Sequence, residues 1–355
     1  MKSNKIILLL AAFSFVMSGT AAAQELVDAL RLVSSQYAEK YIEPFTSAFG
    51  ADYNSGLFHT ADNGPRNGFR AYLGVKIFAT IISEDDKQFS TTYNVDVALD
   101  RIVNGKDVTL RVPALVTVRN APTIFGDSLR GTVTVRALED VLVTVDGEQF
   151  IVSVDTVFSF QTPEGLIDLP AMPAAAPQLE IGTILGTDLM LRYVPSITSE
   201  EVGRFGLIGV GIRHSISQYI PSLPFHLAIQ GSWQQLFFDD SNDLPIIKLK
   251  TWAVNIQASK KLGIVTIYGG LQAEDSNVTV SYRFEGSSVI EDGDVNVDFG
   301  VADLRDPVDV SLDLDGANYL RALVGISIAA GPVVISTDFS LGSVQSASFG
   351  IGVSF

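Results

Sequence analysis

Apolar and polar residues alternate with period two over most of this chain, most cleanly at its C-terminal end. Phe349, Ile351, Val353 and Phe355 alternate with Ser348, Gly350, Gly352 and Ser354. Val333, Ile335, Thr337, Phe339 and Leu341 alternate with Val334, Ser336, Asp338 and Ser340, and Leu320, Ala322, Val324, Ile326 and Ile328 with Tyr319, Arg321, Leu323, Gly325 and Ser327. Such a period puts one apolar and one small or polar face on each strand. Segments of about ten residues with these two faces suit a transmembrane barrel strand, and a soluble sandwich shows the same alternation.

The pattern continues upstream. Phe69, Ala71, Leu73, Val75, Ile77 and Ala79 oppose Arg70, Tyr72, Gly74, Lys76, Phe78 and Thr80; a second strand is predicted near Phe89 to Leu99. From Arg101 to Gly165 the β-rich runs are irregular and dense in charge, which predicts strands reaching beyond the membrane or a small accessory sheet. Leu169 to Pro177 holds three prolines and reads as a linker or turn, since proline donates nothing to a ladder. Regular strands then run to the C terminus, with Asp188, Met190 and Arg192 opposing Leu189, Leu191 and Tyr193.

One convincing helix is predicted, Glu25 to Phe45, with Leu26, Ala29, Leu30, Val33, Tyr37 and Tyr41 at helical spacing and Pro44 as its stop. An irregular connector follows. Gly286 to Gly316 reads as the largest loop, with nine acids against the single cation Arg305.

Lys2 and Lys5, the apolar run Ile6 to Met17 and the small residues Ala21 to Ala23 form a secretory signal, with cleavage expected after Ala23. No mature stretch is long and apolar enough for a spanning helix, yet 47% of the chain is hydrophobic and its mean hydropathy is +0.29. Exported, apolar on average and without such a helix, the chain fits an outer-membrane β-barrel. The net charge of −16 argues against nucleic acid as a partner. The absence of cysteine removes disulfides and thiolate chemistry.

The expected architecture is therefore all-β: a signal peptide (1–23), a helix and connector serving as plug or periplasmic cap (24–66), and a transmembrane antiparallel barrel (67–355) of about 12 to 14 strands, best counted as 14. The long acidic loop 286–316 lies outside, and Phe355 lies at the periplasmic end, where the barrel-assembly machinery is expected to read the last strand. Outer-membrane lipid is the expected surroundings. A cation facing lipid near the midplane costs about 2 to 4 kcal/mol. The polar positions Arg70, Lys76, Arg192, Arg213, His226, Gln230, Arg321 and Asp338 are therefore placed toward the lumen. They either line a path for solute or satisfy one another and the N-terminal helix in a closed interior.

Catalytic and cofactor chemistry find little support. His214 beside Ser215 and Ser217 invites comparison with a His-Ser hydrolase pair, but no acid stands nearby in sequence to orient the imidazole. Ser311, Asp313, Asp315 and Gly316 echo a calcium loop that lacks its closing glutamate, Ala322 standing in that place. His59, His214 and His226 are too scattered for a zinc site. No enzyme, cofactor or metal is predicted.

The stretches Thr187 to Pro195, Gly209 to Ile216, Tyr219 to Pro221 and Tyr268 to Leu271 resemble an uncharacterised family of predicted outer-membrane barrels that is itself distantly similar to FadL-type long-chain fatty acid transporters. The resemblance implies 14 strands, an N-terminal plug and passive uptake of small, hydrophobic ligands. The alternative from another class is a non-conducting surface or envelope-structural barrel that binds a partner or cations through its acidic outer loop.

Overall fold

The computed structural model describes residues 35–64, 67–127, 130–152, 157–162, 164–199, 203–220, 222–239, 244–284, 290–292, 295–298 and 308–355. The expected signal peptide and the first part of the expected N-terminal helix lie outside them. In chain order, helix α1 (Ser35–Tyr53) is followed by β1 (Asn67–Ile81), and then by β2 (Gln88–Val103), β3 (Lys106–Pro122), β4 (Thr132–Ala137), β5 (Val141–Val145), β6 (Glu148–Val152) and β7 (Val157–Gln161). Next come β8 (Ala171–Ile184), β9 (Thr187–Ser199), β10 (Gly203–Ser215), β11 (His226–Asp239), β12 (Pro245–Leu262) and β13 (Val265–Phe284). The chain ends with β14 (Ile290–Asp292), β15 (Val295–Asp298), β16 (Val308–Asp315), β17 (Leu320–Ala330), β18 (Val333–Leu341) and β19 (Ser346–Ser354).

Strands β1, β8 to β13 and β17 to β19 pair antiparallel in a ring that closes through β19 and β1, with Leu73 opposite Val353 and Phe78 opposite Ser348. Among the described residues the barrel closes with ten strands rather than the expected 14. The expected count included strands that do not join the ring. β2, β3, β4 and β7 form a separate sheet inserted between β1 and β8, extended by β15 and β14, and β5 pairs only with β6. Asn104-Gly105 and Asp146-Gly147 turn two of these hairpins, each pair with positive φ as a two-residue type I′ turn requires.

The expected linker at Leu169 to Pro177 is also corrected, because Pro173 and Pro177 sit within β8, opposite Ala79 and Val75 of β1. The β8–β9 ladder spans only Gln178 to Ile184, so on that side these prolines have no ladder bond to lose. Residues 308–315, expected in the acidic loop, form β16 against the upper half of β13. Helix α1 runs through Pro44 to Tyr53. The helix bond lost at Pro44 is outweighed by the burial of Phe45, Ala48, Phe49, Ala51 and Tyr53 beyond it.

One end of the ring has the short connections Leu185-Gly186, Gly263-Ile264 and Gly331-Pro332; the opposite end carries the inserted sheet, β14 to β16 and α1. The principal apolar core lies at that elaborated end. Tyr41, Ile42, Phe45 and Phe49 of α1 pack there with Val112, Val116 and Val135 of the inserted sheet and with Leu236, Leu249 and Val278 from the tops of barrel strands. Burial pushes the Tyr37 and Tyr41 phenols above their ordinary range.

The ring itself is polar inside and apolar outside. Leu189 and Val324 are each 61% exposed on its outer face, whereas Arg192 and Lys76 are fully buried within. Ile208, Val210 and Ile212, Val254 and Ile256, and Phe349 and Ile351 continue the outer belt from strand to strand. A monomer in water rarely exposes an apolar patch beyond a few hundred Å². Leaving each such side chain in water forgoes on the order of 1.5–3 kcal/mol. The belt therefore calls for an apolar surrounding.

Candidate functional site

The candidate site is the interior of the ring, and the chain itself occupies it. α1 ends near the upper rim, and residues 54–64 run down through the ring to enter β1 at the short-turn end.

At the upper rim, Arg321 of β17 donates to the Ser55 hydroxyl (2.7 Å) and the Ala51 carbonyl (2.9 Å) and pairs with Glu274 of β13. Ser55 also meets Ser346 of β19, oxygen to oxygen at 2.9 Å. The Thr80 hydroxyl donates to Asp52 (2.7 Å). Burial pushes the Asp52 carboxyl well above the usual carboxylate range, while the Thr80 bond and the Arg321 charge pull it back down.

At mid-height, Arg192 of β9 donates to the carbonyls of Tyr53 (2.9 Å) and Ser55 (2.8 Å) and to the Gln178 side chain (2.9 Å), with its guanidinium 4.8 Å from the centre of the Phe78 ring. The last carbonyls of a helix have no partner within it, and its C-terminal end carries partial negative charge. Arg192 and Arg321 supply both the donors and the opposite charge. Lys76 donates to Ser336 (3.1 Å), while Asp338 accepts from Tyr268 (3.0 Å) and Ser348 (2.6 Å). Phe58 packs edge to face on Tyr268, with centroids 5.6 Å apart. Its small apolar cluster includes Leu57, Met190 and Ala253.

At the short-turn end, Arg213 of β10 pairs with Asp188 and with Glu180 (3.1 Å) and donates to the Thr60 carbonyl (3.0 Å). Arg70 pairs with the same Asp188 (2.7 Å) and donates to the Asp62 carbonyl (2.6 Å). His59 lies 3.7 Å from Glu180, and the Asn63 amide donates to the Gly186 carbonyl (3.2 Å).

The structure thus puts Lys76, Arg192, Arg213, Gln230, Arg321 and Asp338 inside the ring, with Arg70 partly exposed near its lower mouth. His226 stands at that mouth as well, half-exposed and 3.6 Å from Asp62. The sequence reading missed the carboxylates Glu180 and Glu274 and the amides Gln178 and Gln272 as members of this set. Gln178 and Glu180 alternate with Leu179 and Ile181 just past the expected linker, where alternation also marks them as inward. Glu274 and Gln272 lie two residues apart in β13, where alternation would have found them.

The His-Ser comparison fails on geometry. The His214 ring meets the hydroxyls of Thr187 (2.8 Å) and Tyr219 (3.0 Å), while the Ser215 hydroxyl meets that of Ser217 (3.3 Å). Asp313 and Asp315 lie along a strand, accepting from Thr279 (2.7 Å) and Asn277 (3.1 Å). No cluster of metal-ligating side chains occurs among the described residues. A cleft of about 600 Å³ opens at the elaborated end between α1, β2 and the β18–β19 turn, lined by Lys40, Glu43, Asp85, Phe89 and Gln345.

Among solved structures, the chain is similar to a BenF-like porin from Pseudomonas fluorescens Pf-5, at 10% identity over 81% of this chain and 97% of that one, with a TM-score of 0.18. It is similar to OpdO of Pseudomonas aeruginosa, at 9% identity over 80% and 96% with a TM-score of 0.17. It is also similar to the outer membrane channel DcaP of Acinetobacter baumannii, at 11% over 81% and 97% with a TM-score of 0.19. Overlap so slight leaves fold and function to this chain's own residues. No curated protein matches the chain. Its membership is nonetheless plain: over residues 1–355 the chain belongs to DUF6588, a family of unknown function.

Proposed function

We propose that this chain is an outer-membrane β-barrel that admits small molecules passively, and that its channel is shut in the state described by its own residues 51–64. The observation that carries this is the bonding of Arg192, Arg213 and Arg321 to main-chain carbonyls of that segment. These side chains are built into the wall, whereas their partners belong to a segment that crosses the lumen and joins the wall covalently only where it enters β1, so that a shift of the segment to one side would open a path. Because long loops face outward in such barrels, the inserted sheet and β14 to β16 are outside, and Phe355 and the short turns are periplasmic. α1 is then an outer cap rather than a periplasmic one. The last strand is the part offered to the assembly machinery. A FadL-type resemblance supports passive uptake as a class; the lining of Arg, Lys, Gln, Glu and Asp favours polar solutes over fatty ones.

A second reading is a non-conducting structural barrel, favoured by the pairing of the wall cations with Glu180, Asp188 and Glu274. One experiment separates the two. The chain has no cysteine, so Ser55→Cys with Ser346→Cys adds one disulfide at a pair whose oxygens are 2.9 Å apart. In a planar bilayer the oxidised protein should show no openings, and reduction should restore them. No openings in the reduced variant or the unaltered chain would sink the channel and leave the structural barrel.

A further inference from the structure

Lys250 and Lys248 of β12 follow Trp252 on the outward face of the barrel, two and four residues nearer the elaborated end. At about 3.4 Å per residue they stand about 7 and 14 Å along the strand beyond the indole. Among the described residues neither is paired with an acid. Three acids share this face, and each accepts from a neutral donor instead: Asp275 from the Trp252 indole (3.3 Å), Asp313 from Thr279 (2.7 Å) and Asp315 from Asn277 (3.1 Å). On the other flank, Gln235 of β11 stands opposite Lys250 and Phe237 opposite Lys248. The Phe237 ring is seated over Gly206 of β10, where a Cβ would overlap it. Arg204, 5.4 Å from the centre of that ring, covers it while pairing with Asp239. The patch is one-sided, since the outward positions at the same end of β1, β17 and β18 are the exposed apolar residues Ile81, Leu320 and Leu341.

We infer that this patch binds the phosphorylated headgroup of an outer-leaflet lipid. The inference rests on the outer-membrane reading and the orientation proposed above. The acyl chains lie against Trp252, Val254 and Ile256, and the headgroup phosphate comes to the level of Lys250 and Lys248. Lysine meets phosphate as a compact point charge, and these two ammonium groups do so without giving up an existing partner. General anchoring at the interface would spread cations around the rim, whereas here the uncommitted pair is confined to β12, beside a seated aromatic ring. A free anion in water lacks the apolar half of this match and is repelled by a chain of net charge −16.

The test reads energy transfer from the two tryptophans to a fluorophore on a lipid acyl chain, with the full chain reconstituted in phosphatidylcholine vesicles. Labelled lipid A, a phosphorylated sugar lipid, should reach half-maximal transfer at a mole fraction about thirtyfold lower than its dephosphorylated form, each lysine contributing about fivefold. Lys248→Gln with Lys250→Gln should abolish that difference, and Lys248→Arg with Lys250→Arg should keep it. Lys260→Gln with Lys261→Gln, the same change of charge at the short-turn end of β12, should leave it intact. Each variant is first shown to keep the heat-induced gel-mobility shift of the unaltered chain. Inorganic phosphate should not displace the labelled lipid. Equal transfer to the two lipid forms overturns this inference alone, as does displacement by inorganic phosphate or an equal loss in the Lys260 and Lys261 variant. No transfer even to labelled phosphatidylcholine takes the barrel out of the bilayer and overturns the outer-membrane reading as well.

Discussion

Trp233 of β11 and Trp252 of β12 stand directly opposite each other on the outer face of the barrel, and they are the only tryptophans in the chain. On the side nearer the elaborated end, the same faces continue with Gln235 and Lys250 and then Phe237 and Lys248. On the other side follow Val254 and Ile256, the start of the apolar belt. The pair marks the boundary where an amphipathic ring is favoured at a membrane surface. Intrinsic fluorescence therefore reports one depth: lipids brominated near the headgroup should quench strongly, and those brominated at the chain ends weakly. Quenching by neither lipid would remove the protein from the membrane.

Arg192 should be the costliest wall residue to lose. Arg192→Ala leaves the buried Ser55 carbonyl without its donor and the Tyr53 carbonyl with the Gln234 amide alone, a loss of about 3 kcal/mol for charge-assisted bonds. If that loss falls on the seating of the segment, maleimide labelling of a cysteine at position 55 should rise about a hundredfold. Unchanged labelling would show that the clamp does not hold the segment.

Gly50 reverses the usual rule for helices. Alanine normally stabilises a helix interior by about 1 kcal/mol over glycine. Here a Cβ would overlap the Ser276 side chain of β13. Gly50→Ala should therefore destabilise the protein by about 1 to 3 kcal/mol, seen as a lower midpoint of the heat-induced gel-mobility shift. Adding Ser276→Gly should recover part of the loss.

Asp52 gives a pH dependence with a definite sign. Its folded-state pKa is raised by burial, so its contribution to stability is fully present below the unfolded value of about 3.9 and is lost as pH rises through the folded value. The mobility-shift midpoint should fall as pH rises above that unfolded value. Asp52→Asn keeps an oxygen for the Thr80 hydroxyl and carries no charge, so it should flatten that slope and raise the midpoint at neutral pH. Identical slopes in both proteins would refute this account.

What was legible in the sequence follows from which forces are local. Leu73 and Ile77 facing out with Tyr72 and Lys76 facing in is a two-residue pattern set by the pleat, so it could be read directly. The ring size could not, because β3 and β4 alternate like barrel strands while pairing with each other instead. Pro44 and the Pro173–Pro177 stretch misled for a related reason. Each is a local breaker tolerated by distant partners, the apolar core around Phe45 and Phe49 in one case and β1 in the other. The inward positions of Arg192 and Arg321 were readable, but their main-chain partners were not, since those bonds join residues more than a hundred positions apart.

The passage of residues 54–64 through a closed ring also sets an order of assembly. α1 is packed into a core above one mouth, while β1 begins at the other, and an α-helix with its side chains is about 10 Å or more across. A finished ring filled to its walls has no room for that helix to be drawn through. The seam between β1 and β19, which joins the first barrel strand to the last, must therefore close around a segment already in place. Folding of this barrel ends where its sequence both starts and stops, and Phe355, whose amide and carbonyl both bond Ala71, fastens the joint.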